Sequence, residues 1–121
     1  MPHRSDIAEI SHILGVINDV FARHRDGTLS DFRSRQALSA FINSCPAGAR
    51  LSPDDEVDVG VYLDGALQVS RRATSSYDAD TAACARVVMG VAVGDAAALH
   101  TVRRAARPGQ VRQMSASACE L

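Results

Sequence analysis

Lysine and tryptophan are absent from this chain, and aromatic side chains are scarce: Phe21, Phe32, Phe41, Tyr62 and Tyr77 are the full set. With so little aromatic area to bury, the core has to be assembled from Ile, Leu, Val and Ala. All 13 basic residues are arginine. Arginine makes planar bidentate contacts that lysine does not, but an Arg- and Ala-rich composition also reflects GC-rich, bacterial-type coding. Cys45, Cys84 and Cys119 are the only cysteines, an odd number with no C-x-x-C pair. This spacing suits neither a disulfide framework nor a zinc site. Cys84 reads as a small apolar residue in a helix and Cys119 as a thiol in a tail.

Long hydrophobic runs are missing too. Val87 to Gly94 is the longest, too short to span a bilayer. The first residues lack the apolar run of a signal peptide, and Ala118 stands where a prenylation box needs cysteine. The expectation is a cytoplasmic protein without membrane contact. His3, His12, His24 and His100 are scattered, with no pair four apart and no nearby cysteine ligands. No G-x-S-x-G elbow and no Gly-rich phosphate loop is present. These absences predict no metal, no cofactor and no catalytic residues, hence a protein that is not an enzyme.

What is present fits one domain over residues 1–109, followed by a Ser-, Ala- and Gln-rich tail over 110–121 that reads as flexible. Ile7, Ile10, Leu14, Ile17 and Phe21, widened by Ile13, Val16 and Val20, give an amphipathic helix over about residues 6–25. Gly27 suits the left-handed position after it. A second helix, capped by Thr28 or Ser30, buries Phe32, Leu38, Phe41 and Ile42 and stops at Pro46. The short connection makes the two helices antiparallel neighbours.

Val57, Val59, Val61 and Leu63 alternate with Asp58, Gly60 and Tyr62, and Asp64-Gly65 is a strong turn dipeptide. Together they predict a β-hairpin returning over about residues 66–72, with a bulge or longer loop to bring Leu67 and Val69 onto the valine face. Ser52-Pro53-Asp54-Asp55 also resembles a helix start, read here as at most one turn. Ser76 or Asp78 begins a third helix to about Val93. Gly94-Asp95 breaks and restarts it, with Asp95 as cap, through Val102 to about Arg107; residues 87–93 alternatively form a buried strand. Gly90 and Gly94 allow close helix contact, within the domain or between copies. The expected class is therefore α+β: two N-terminal helices, a β-hairpin and a long or broken C-terminal helix.

A net charge of −1 provides no global field towards nucleic acid. Local segregation is more informative. Asp54, Asp55, Glu56, Asp58 and Asp64 form an acidic segment suited to a basic protein surface. Arg71, Arg72, Arg103, Arg104 and Arg107 are candidates for phosphate contacts. Two helices before a hairpin resemble a winged helix-turn-helix, although that architecture usually places a third helix before the wing. The leading expectation is a small non-catalytic regulatory or inhibitory protein that acts by binding another macromolecule, with a protein as the favoured partner and homodimerisation through the C-terminal helix. The alternatives are a nucleic-acid-binding transcriptional regulator and a small enzyme with an unrecognised site.

Overall fold

A computed structural model describes residues 4–73 and 78–107, with the side chains of residues 4–8 left aside. The described residues contain α1 (Arg4–Arg25), α2 (Asp31–Ser44), a short 3-10 turn (Gly48–Arg50), α3 (Pro53–Arg72), α4 (Ala79–Ala92) and α5 (Ala96–Ala106). No strand occurs among them, so the fold is all-α and the expected α+β class and hairpin are overturned. The 110–121 tail and Cys119 lie outside the described residues.

The segment expected to form the hairpin is α3, the helix around which the others gather; it packs against α1, α2, α4 and α5. Ser52 starts it: its hydroxyl accepts from the Asp55 backbone N–H, and Pro53 occupies the first turn, where no N–H is needed. Asp54, Asp55 and Glu56 then sit at the positive end of the helix dipole, with Arg71 and Arg72 at the negative end. The buried positions are Asp55, Asp58, Val59, Gly60, Leu63, Ala66, Leu67 and Ser70. Their spacing of three and four is the period of one helical stripe. Val57 and Val61 are left outside, 64% and 47% exposed. The alternation of valines was therefore not a strand face, and Asp64-Gly65 is accommodated inside the helix rather than forming a turn.

Elsewhere the local signals hold. Gly27 adopts φ 85° after α1, and Ser30 caps α2 by accepting from Arg33 N–H. Asp78 caps α4, Gly94 takes φ 82° beyond its end, and Asp95 caps α5. Residues 87–93 continue α4 rather than forming a strand. The α1 stripe is rotated from the expected one, burying Ile13, Ile17, Val20, Phe21 and His24, with Ile10 39% exposed. α2 buries Ser34, Leu38 and Ile42, whereas Phe32, expected in the core, is 68% exposed.

The core joins these stripes through Ile17, Phe21, Leu38, Ile42, Leu63, Leu67, Val88 and Val102. Gly90 is buried where α4 meets α5: a Cβ there would lie 2.5 Å from the Ala98 Cβ. The close contact expected of Gly90 is thus made within the domain. No single helix among the described residues is long and apolar enough to cross a membrane; the one pair that passes jointly, α4 with α5, is bent by 119°.

Candidate functional site

Two of the acidic candidates from the sequence meet two of the basic ones. α5 lies along α3 so that its last turn reaches the first turns of α3. Arg103 grips Asp55 with two bonds, Nε to Oδ1 at 2.9 Å and Nη2 to Oδ2 at 2.9 Å. One turn further, Arg107 Nε donates to Asp58 Oδ1 at 3.0 Å. The four-residue step on α5 matches the three-residue step on α3, giving two bridges side by side. The carboxylates are sunk, 12% and 5% exposed, while the arginines remain about half exposed. The hydrogen bonds from Arg103 hold the Asp55 carboxyl below its ordinary range, and those bonds raise Arg103 in turn. Asp58 Oδ2 is buried without a hydrogen-bond partner among the described residues.

A second polar joint ties the end of α1 to the start of α2 and the end of α3. Nε2 of the buried His24 lies at hydrogen-bond distance from Asp31 Oδ1, and Arg71 Nη2 donates to the same oxygen. Arg71 Nη2 is also 3.0 Å from His24 Nε2. A carboxylate oxygen can only accept, so the contact with Asp31 puts the proton on Nε2; Nε2 and Arg71 Nη2 are then two donors converging on one oxygen rather than partners of each other. His24 Nδ1 is buried without a hydrogen-bond partner among the described residues. The His24 hydrogen bond is the leading cause holding the Asp31 carboxyl below its ordinary range. Arg25 completes the joint, donating to the Ser70 carbonyl at 3.1 Å and to its hydroxyl at 3.2 Å. This is a His–Asp pair beside a hydroxyl, but the His24 side chain is fully enclosed and Ser70 is held by Arg25. No substrate reaches the ring in this arrangement, which acts as a clamp between three helices.

Of the sequence candidates, Asp55, Asp58, Arg103, Arg107 and Arg71 are thus bound to partners within the chain. Asp64 lies 3.5 Å from Arg35. Asp54, Glu56, Arg72 and Arg104 are exposed. A cleft of about 650 Å³ between α1 and α4 is lined by Leu14, Asn18, Phe21, Thr81 and Arg86 among others; its carboxylate, Asp19, is bound to Arg23. No group of three His, Cys, Asp or Glu side chains converges to hold a metal among the described residues. Burial pushes the Cys84 thiol up, and the neighbouring Tyr62 hydroxyl likewise.

What sequence reasoning missed is the outer surface made by α2 and α3. The two helices run antiparallel, with Asp31 beside Arg71, Arg35 beside Asp64, and Ser39 and Asn43 sharing a shallow cleft with Glu56. Phe32, Ser39 and Asn43 recur at seven and four, so Phe32 falls on the same α3-facing flank of α2. Val57 and Val61 stand one turn apart on the outward side of α3. Among the described residues, three of the five large exposed hydrophobic side chains therefore belong to this one surface. The signal that could have found it was the cap Ser52-Pro53, which turns the valine alternation into a helix with two valines outside. No protein-family model, curated protein or solved structure matches the chain.

Proposed function

We propose that the protein is a small non-catalytic regulatory module that works by protein–protein contact through the outer surface of α2 and α3. The observation that carries this reading is the exposure of Phe32, Val57 and Val61 at 68%, 64% and 47% on adjoining flanks of two packed helices. Apolar side chains grouped on one surface and rimmed by polar residues are the pattern of a contact site. Asp54, Glu56 and Asp64 supply the rim on α3. The earlier acidic segment is thereby narrowed, since Asp55 and Asp58 are committed to α5. A nucleic-acid-binding role has less support. Arg71, Arg103 and Arg107 already hold carboxylates, leaving Arg72 and Arg104 of the five candidates.

The test is a photo-crosslinking amino acid placed at Val61, with Ala83 on the exposed side of α4 as the control. Expressed in the native host, the Val61 variant should give an adduct of discrete mass that the Ala83 variant does not. Equal adducts from both positions, or none from Val61 in correctly folded protein, would overturn the reading.

A further inference from the structure

We propose that the partner of this surface is a second copy of the chain, bound with its α3 antiparallel to the first; this rests on the protein-contact reading above and names its partner. The outward stripe of α3 reads Asp54, Val57, Val61, Gly65, Gln68 and Arg72. It is acidic at one end, apolar in the middle and basic at the other. Asp54 and Arg72 are exposed, and neither makes an ion pair among the described residues.

A two-fold axis across the helix at the level of residue 63 lays this stripe on itself in reverse. Asp54 of each copy then meets Arg72 of the other, twice per dimer, at points about 27 Å apart along the helix. Val61 comes opposite Gly65, and Val57 comes opposite Gln68. Gly65 fits this pairing, although the exposed Gly15 of α1 has open space around it too. A Cβ built on it meets nothing within 4 Å, so nothing inside the domain requires glycine there. Glycine in an exposed helix interior weakens the helix. Opposite a valine of a second helix it provides a hollow that lets the backbones approach. Phe32 adds to the fit. Asp31 lies beside Arg71 and Arg35 beside Asp64, so Phe32 is level with about residue 69 of α3. In the antiparallel pair that level coincides with Val57 of the other copy.

A parallel pairing is disfavoured on the same residues, because it sets Asp54 on Asp54 and Arg72 on Arg72 and aligns the helix dipoles unfavourably. The surface is two helices wide, and its projected area is about 500 Å² per copy. About 1,000 Å² in total is the lower end for specific interfaces, so the dimer should be a weak, concentration-dependent one.

Sedimentation equilibrium of the full chain from about 1 µM to about 1 mM tests this, with Asp54→Arg, Arg72→Asp and the double exchange. The unaltered chain should dimerise. Each single reversal should weaken the dimer by about tenfold or more, because it creates two like-charge contacts. The double exchange should restore affinity to within about threefold. A chain that stays monomeric throughout, or a double exchange no better than the singles, would overturn the proposal. The Val61 crosslink separates this failure from that of the parent reading. An adduct at twice the chain's mass supports both; an adduct of another mass removes the second copy but keeps the contact surface; no adduct removes both.

Discussion

Cutting the bridge between α5 and α3 at Arg107 should cost more than cutting it at Asp58. The Asp58 carboxylate is 5% exposed, with Oδ1 bound to Arg107 at 3.0 Å and Oδ2 without a partner. Arg107→Ala leaves that buried charge with no counter-charge bonded to it. For a wholly buried pair, removing one partner costs about 3–5 kcal/mol. The Arg107 side chain is 44% exposed, so water already reaches it and replaces part of what it supplies. The discounted cost is roughly 2 kcal/mol. Asp58→Ala removes the buried charge itself and releases a half-exposed arginine to water, at about 1 kcal/mol. The double variant should therefore cost about the same as Asp58→Ala alone, leaving a coupling of roughly 2 kcal/mol. Urea denaturation gives these values directly, and heating should show Arg107→Ala melting roughly 10 °C lower. Equal single costs that simply add in the double variant would refute the argument that Arg107 serves to neutralise a buried carboxylate.

The Asp55 carboxyl is held low in the folded chain, mainly by Arg103. Its folded value lies below the unfolded one, so its contribution is present above about pH 4 and is lost as pH falls through the folded value. Arg103→Gln should lower stability near pH 7, with the gap closing as pH falls through the folded value; a constant gap in urea melts down that range would contradict this. Gly90→Ala forces a Cβ to 2.5 Å from that of Ala98 and should destabilise by about 1–3 kcal/mol. Gly65→Ala enters open space and should stabilise dilute protein by about 0.5–1 kcal/mol; the reverse order of melting temperatures would count against the α4–α5 packing. Leu63→Ala should cost about 2–5 kcal/mol and Val61→Glu about 0.5 or less in dilute protein, because Leu63 is fully buried and Val61 is 47% exposed. Similar costs at the two positions would support the strand reading, in which both face the core.

The helix ends were legible because capping is local. Ser30, Asp78 and Asp95 each bond a backbone N–H two or three residues ahead, and Gly27 and Gly94 take the left-handed backbone that follows a helix. The segment from Val57 to Arg72 presented two local patterns at once, and the β-like alternation is decided against only by tertiary burial. A lone two-stranded ribbon is marginal in water, whereas a helix buries Asp55, Val59, Leu63, Leu67 and Ser70 against four neighbours. Phe32 was misplaced for a related reason: α2 is covered on the Ser34–Leu38–Ile42 side, and only the packing of α3 determines which flank that is. The pairing of the acidic and basic candidates was illegible, since Asp55 and Arg103 stand 48 residues apart and Asp58 and Arg107 49 apart. Either group alone looks available for a partner. His24 carried no motif, and its partners come from two other helices.

The most direct measurement of the central claim is a concentration series of backbone amide NMR spectra on the isotope-labelled full chain. If the outward stripe of α3 is the contact surface between two copies, the resonances that move with concentration should be those of Val57, Val61, Gly65 and Arg72, with Phe32 beside them. The amides of α4 and α5 should stay fixed. Spectra that do not change with concentration, or shifts confined to α4 and α5, would contradict the account.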